Sequence, residues 1–322
     1  MQTPVFIDHL PDVSTVVSHK SGQYRHQRNK ALLDLLLQDH SDWETRSSCP
    51  ACGQERGKSR SFSHTFMDFQ RCAKCNSIYA ADVPPQIVLD KLRLEQIKCT
   101  EPGKDREFEF ISLLNWISLT EARMERSLDS VLDVRFCTQA PDWQDTVQRQ
   151  SRNRSWHFLP LTPDDGTFAS LKEKLRETNP KAVLVPAEMD RTADPAMLLQ
   201  VIRENSPAGT IVFVTSSCAD GLEYEILGAD SPSFIPLDRL TIFSICGFKT
   251  LAEKSGYEIL ETSTPGRLDA VILERYFKSA DNADIPFWSG FFREADKNRL
   301  HDLQILLQRS LKSGVLRFLL ET

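Results

Sequence analysis

From residue 130 onward, short apolar runs alternate with longer amphipathic stretches, and this rhythm limits the possible folds more than any other feature of the chain. The runs "SVLDVRF" (130–136), "SWHFLPL" (155–161), "KAVLVPA" (181–187), "GTIVFVTS" (209–216), "YEILETST" (257–264) and "LDAVILERY" (268–276) read as strands. Helices are expected between them at 142–150, 167–177, 195–205 and 246–255. Parallel neighbours need a crossover long enough to return the chain to the same end of the sheet, and a helix provides it while covering one face. The sequence therefore predicts an α/β domain with a doubly wound, mostly parallel sheet buried on both sides.

Upstream, "CPACG" places Cys49 and Cys52 two residues apart, and "RCAKCNSIY" does the same for Cys72 and Cys75. Two thiolates at C-x-x-C spacing reach one ion from a tight knuckle, and a second knuckle completes the tetrahedron that Zn²⁺ prefers. Four sulfur ligands leave no open coordination position, so the expected zinc is structural. Such a site supplies on the order of 10 kcal/mol to a segment too short to build its own core. His64 lies in the same loop and is expected at the surface or in packing, because four sulfurs suffice. Cys99, Cys137, Cys218 and Cys246 stand alone and are expected to be small buried apolar residues.

The early segment "HKSGQYRHQRNK" (19–30) offers no apolar core of a secretory signal, which predicts a reducing, cytoplasmic setting where paired cysteines hold metal. No run of 18 apolar residues occurs, so no membrane span is expected. The 45 acidic residues outnumber 39 basic ones, giving a net charge of −6, which argues against a chain that coats nucleic acid. Ahead of the alternating region, helices are expected at 29–40, 86–97 and 107–128. Beyond it, "FFREADKNRLHDLQILLQRSLKSGVLRFLLET" reads as one or two helices with Leu300, Leu303, Leu307 and Leu311 along one side. That stripe can pack on the sheet or form an oligomer interface, and the aromatic cluster "PFWSGFF" is expected to anchor it. The resulting division is an arm and helix (1–46), a zinc ribbon (47–83), a helical connector (84–128), the α/β domain (129–278) and a C-terminal helical extension (279–322).

These blocks together resemble bacterial S-adenosylmethionine-dependent methyltransferases that carry an N-terminal zinc ribbon, including C-methyltransferases of nucleotide-linked deoxysugars. The resemblance spans roughly residues 48–275 and rests on "CPACG…RCAKCNSIY", "VLDV", "AEMDRTADPAMLLQVIRENSPAGTIVFVTS", "PLDRLTIFSICGFKTLAEKSGYEIL" and "PGRLDAVIL". It implies a Rossmann-like sheet with the cofactor at the carboxyl ends of the first strands. It also implies an aspartate followed by glycines at alternate positions, where close backbone approach excludes side chains. Asp133 is present, but Arg135, Cys137 and Gln139 stand where those glycines fall. The chain has 13 glycines and none lies between Gly103 and Gly166, so no change of register restores the turn. The resemblance further implies an acidic residue for the cofactor ribose after the second strand. Thr162 stands there, with Asp164 and Asp165 slightly later as expected cap and turn residues of the next helix.

Acid–histidine pairs implied by the same resemblance appear as Asp190–Arg191 and Asp238–Arg239. Arginine holds its proton and cannot act as a general base, yet it grips phosphate or carboxylate through two parallel hydrogen bonds. Glu188, Asp190, Arg191, Arg239 and Arg267 therefore form a candidate pocket for a nucleotide-sugar diphosphate or a partner's acidic residue. The bland alternative is salt bridging to Asp190, Asp238 and Asp269. No catalytic residue is singled out. Three functions stay open: a methyltransferase-like protein with a degenerate cofactor site serving as a binding or scaffolding partner; an active methyltransferase on a nucleotide sugar or other small molecule; and a zinc-ribbon module for nucleic acid or protein. The lost glycines, ribose acid and histidines favour the first, and the setting implied by the resemblance is surface-polysaccharide or sugar biosynthesis.

Overall fold

The structure is a computed structural model that describes residues 30, 31, 33–35, 37, 38, 41–64, 67–98, 107–135, 141–159, 163–186, 188–231, 233–279 and 285–322. Five short strands form the ribbon: β1 (Glu44–Thr45), β2 (Arg60–His64), β3 (Met67–Arg71), β4 (Ile78–Ala80) and β5 (Asp82–Val83). β3 pairs antiparallel with β2 and β4, and β1 closes the base by pairing with β5. Two helices follow, α1 (Gln86–Lys98) and α2 (Glu107–Met124). α2 stops four residues short of the expected end, where Glu125 turns into the left-handed region at φ 51°.

The α/β region then runs β6 (Ser130–Asp133), α3 (Pro141–Gln150), β7 (Ser155–Phe158), α4 (Ala169–Thr178), β8 (Ala182–Val185), α5 (Pro195–Asn205) and β9 (Ile211–Ser217). A short helix α6 (Leu222–Leu227), strand β10 (Thr241–Ile242), helix α7 (Ile245–Lys254) and strand β11 (Glu258–Ser263) come next. Helices α8 (Asp269–Ser279), α9 (Pro286–Glu294) and α10 (Lys297–Arg309) lead to the last strand, β12 (Val315–Glu321). The six-stranded sheet has the order β11-β12-β9-β8-β6-β7. β7, β6, β8 and β9 are parallel, and β12 runs antiparallel between β9 and β11. Period-two alternation splits the strands between two cores. Val131, Ala182, Leu184, Ile211 and Phe213 pack with Trp116, Ile117 and Trp143 of α2 and α3. Leu132, Val183, Val185, Val212 and Val214 pack with α4, α5 and α7 on the other side.

Two assignments at the C-terminal end need correction. The segment 268–276 is not a strand but lies in α8, whose buried Ala270, Leu273 and Phe277 fall at helical spacing. The strand position is taken by β12, from a region read as helical. There Leu311 adopts φ 58° just after α10, and "VLRFLLE" is a continuous apolar run whose period alone fits either state. The C-terminal extension thus holds two helices, as expected, and then returns into the sheet. The stripe of Leu300, Leu303 and Leu307 is buried within the chain against α8 and Phe292 of α9. A third correction concerns Cys246, which is exposed near the start of α7, whereas Cys218 is buried as expected. Cys99, Cys137, Gln139 and Thr162 lie outside the described residues.

Candidate functional site

The two knuckles bring Cys49, Cys52, Cys72 and Cys75 together with every Sγ within 4.8 Å of the others and all four side chains buried. Each knuckle is closed the same way: Gly53 N donates to Cys49 O at 2.8 Å, and Asn76 N donates to Cys72 O at 2.9 Å. The residue after each second cysteine carries positive φ, 76° at Gly53 and 67° at Asn76, residue types that tolerate that region. Cys49 and Cys75 Sγ are 3.7 Å apart and Cys52 and Cys72 Sγ 3.6 Å apart. A zinc ion bonded to sulfur at about 2.3 Å requires tetrahedral edges of roughly 3.8 Å, so the four residues fit the ion. A hydrogen bond with Cys49 pulls the Cys75 thiol down to about 5, while burial pushes Cys52 up to about 11. A bound Zn²⁺ would be held by these four sulfurs and would serve structure.

The ribbon is built into the rest of the chain. β10 pairs with β4, extending the ribbon sheet to four strands. Ser244, the cap of α7, donates from its hydroxyl to Cys75 O and from its backbone N to Ser77 Oγ at 3.0 Å. Lys254 Nζ donates to Cys52 O at 2.8 Å. Arg46 is buried beside the ribbon and donates to Ala193 O at 2.5 Å and Leu240 O at 3.3 Å. His64 packs edge-on against Phe234 at 5.1 Å, a packing role.

Strand order reverses at β6, which has β7 on one side and β8 on the other. In open α/β sheets a ligand crevice lies outside the carboxyl ends at such a point. Asp133 ends β6 there and is buried. Its Oδ2 accepts from Arg135 Nε at 2.7 Å and from the Trp143 indole N–H, and the Arg135 guanidinium lies 4.8 Å from the Trp143 ring centre. Burial raises the Asp133 carboxyl, with Arg135 and Trp143 acting in the opposite sense. Its Oδ1 has no hydrogen bond among the described residues. Helix α1 crosses the same end of the sheet. Asp90 Oδ2 accepts from Asp164 N at 3.1 Å, Gln86 Oε1 accepts from Ala193 N at 2.8 Å, and Arg93 donates to Arg191 O. The helix therefore bridges the loops that follow β7 and β8. Asp164 also accepts from Gly166 N and Phe168 N at 2.7 and 2.8 Å, tying the turn before α4.

Glu188, Asp190, Arg191 and Arg239 come together beyond the end of β8. Asp190 is fully buried and accepts from Ser216 Oγ, from Ser217 N at 2.9 Å and from Arg239 Nη1 at 2.6 Å. Arg191 Nε stands 3.0 Å from Asp238 Oδ1 and its Nη1 3.8 Å from Glu188 Oε1. Burial alone would raise Asp238, but Arg191, Arg239 and Arg93 together hold it well below the usual carboxylate range. Arg267 lies between β11 and α8, and the neighbouring Asp269 accepts from Ser313 Oγ at 2.6 Å and Gln304 Nε2 at 2.9 Å.

Sequence reasoning missed Arg93, Gln86, Asp90 and Trp143. Their partners lie far along the chain, so no local spacing marks them; a tryptophan in the polar helix "PDWQDTVQRQ" was the one visible sign.

No protein-family model matches the chain, and no curated protein matches it. Among solved structures, 187 chains match. The plantazolicin methyltransferase BpumL in complex with SAH is 10% identical, covering 74% of this chain and 95% of its own with a TM-score of 0.45. Coclaurine N-methyltransferase bound to N-methylheliamine and SAH is 14% identical over 65% of this chain and 72% of its own, with a TM-score of 0.36. Mycolic acid cyclopropane synthase CmaA1 complexed with SAH and CTAB is 12% identical over 64% and 74%, with a TM-score of 0.34. The observed fold is the mostly parallel α/β class expected from the strand–helix rhythm, with the Rossmann-like sheet that the resemblance implied.

Proposed function

We propose that this chain is a methyltransferase-like, zinc-binding protein whose cofactor crevice is closed by its own side chains, and that it acts as a binding or scaffolding partner. The observation that carries this reading is the engagement of Asp133 by Arg135 and Trp143 at the strand-order reversal. A side chain at 135 occupies ground where the cofactor's aminoacyl end needs close backbone approach, and no glycine from 104 to 165 can relieve it. The residues present do not fit S-adenosylmethionine, and no methyl-transfer step is assigned to them. The setting in surface-polysaccharide or sugar biosynthesis follows from the sequence resemblance, and the ligands in view are a protein partner or a nucleotide sugar.

Isothermal titration of the zinc-loaded protein with S-adenosylmethionine tests the reading. No heat at millimolar cofactor is expected; micromolar binding would overturn it and reinstate the active methyltransferase. Within the same reading Arg191 and Arg239 brace the chain through Asp238 and Asp190. Their rival role, gripping a diphosphate together with Arg267, predicts nucleotide-sugar binding that disappears in the Arg191→Ala/Arg239→Ala double variant.

A further inference from the structure

Arg46, between β1 and the first knuckle, is a buried cation without an ion pair among the described residues; it is 6% exposed. Dipoles alone satisfy its guanidinium. Nη2 donates to Ala193 O at 2.5 Å, and Nη1 donates to Leu240 O at 3.3 Å and to Thr241 Oγ1 at 3.2 Å. A charge taken out of water is costly unless an opposite charge shares its low-dielectric surroundings. Burial lowers the guanidinium to about 10, and the opposing charges are Glu44, Asp194 and the Cys49 thiolate. Glu44 and Asp194 are exposed and screened by water, and Asp194 already caps α5 by accepting from Met197 N at 2.9 Å.

The buried counter-charge is the cysteine cluster. Tyr79 packs in one core with the four cysteines and lies opposite Thr241 in the ribbon sheet, so cluster and guanidinium share one interior. With its thiol protons in place the cluster is neutral and offers Arg46 nothing. One Zn²⁺ on four thiolates leaves two negative charges, so metallation creates the counter-ion that the guanidinium lacks. The contacts of Arg46 carry that charge beyond the ribbon. Leu240 N and Thr241 N donate to Asp190 O at 2.7 and 3.1 Å, and Ala193 N donates to Gln86 Oε1 at 2.8 Å. One guanidinium thus ties the loop after β8 to the start of β10, beside the Asp190–Arg239 pair.

We propose that Arg46 is the counter-cation of the metal site and the link by which zinc occupancy reaches the loop after β8. Arg46 binds no metal; it is a positioning residue, and its role rests on the zinc-binding part of the reading above. By linkage, whatever it adds to the metallated state it adds to zinc affinity.

The test measures zinc affinity of the full chain by competition with a chromophoric chelator, together with amide exchange of the zinc-loaded forms. Arg46→Gln keeps hydrogen-bond donors and removes the charge; Arg46→Lys keeps the charge and loses the fork. Zinc should bind about tenfold or more weakly to Arg46→Gln, and within about threefold of the parent to Arg46→Lys. In zinc-loaded Arg46→Gln the Ala193, Leu240 and Thr241 amides should exchange faster, while those of β6 keep parent rates. Ile242→Ala removes buried volume from β10 and no charge, and should weaken zinc less than Arg46→Gln does. Arg46→Met takes the place of Arg46→Gln if the latter yields no folded chain. A parent that binds no zinc would overturn this proposal together with the zinc-binding reading. With zinc bound to the parent, any of four results would overturn the proposal alone: Arg46→Gln as tight as the parent, Arg46→Gln no weaker than Ile242→Ala, Arg46→Lys as weak as Arg46→Gln, or unchanged exchange at Ala193, Leu240 and Thr241.

Discussion

Glu223 shows how single residues set the behaviour of this chain. It is buried in α6, accepts from Ser231 Oγ, and faces Asp269 across Gly314. Burial, reinforced by the Asp269 charge, lifts its carboxyl from an ordinary 4.5 to about 7. A raised carboxyl favours the neutral form in the folded state, so its contribution is complete below the ordinary value and is lost as pH rises through about 7. Glu223→Gln keeps the shape and removes the titration. The difference in unfolding free energy between parent and variant should change by about 3 kcal/mol between about pH 4 and about pH 8, measured by urea denaturation. Parallel pH profiles would refute this assignment. Asp238 has the opposite sign. Its depressed carboxyl stabilises the fold above the ordinary range, and that contribution is lost as pH falls through the depressed value. Asp238→Asn leaves Arg191 without its 3.0 Å partner. A loss of about 3 kcal/mol at neutral pH is expected, shrinking in acid, by the same denaturation series.

Among the elements, the junction between ribbon and α7 depends on close approach at Gly247. A Cβ there would sit 2.2 Å from Ser77 Oγ and 3.1 Å from Ala51 Cβ, both part of the ribbon. Gly247→Ala should therefore cost about 2 kcal/mol by overpacking, seen as a lower thermal midpoint with the metal in place. An unchanged midpoint would show that the junction is looser than its distances indicate. The ribbon itself should bind one zinc per chain, and Cys72→Ser should abolish it by elemental analysis. Much of this level was legible in the sequence. The doubled C-x-x-C spacing named all four sulfurs that come together, and the starts of α3, α5 and α7 fell within a residue of expectation. What stayed hidden was register and distant pairing. "LDAVILERY" and "VLRFLLE" carry apolar runs that do not declare their period, so helix and strand were exchanged between them. Arg93 and Trp143 acquire their meaning only once α1 and α3 lie over the sheet end. Composition and spacing hold no record of that.

At the scale of the whole molecule, ribbon, α1 and sheet interlock around the loops after β7 and β8. The sheet in turn depends on β12, which pairs with β9 along its full length and carries β11 on its other side. A chain stopped before Val315 loses two strand positions at once, because β11 has no other neighbour in the sheet. Circular dichroism of residues 1–314 should show no cooperative thermal transition; a soluble product melting at the parent midpoint would contradict this dependence. The same pairing sets a clock during synthesis. β9, "IVFVTSS", leaves the ribosome roughly a hundred residues ahead of its partner, which at about 5–20 residues per second is a wait of roughly 5–20 s. For that interval an apolar strand has one open edge, and crowding or a shortage of chaperone would be felt there first.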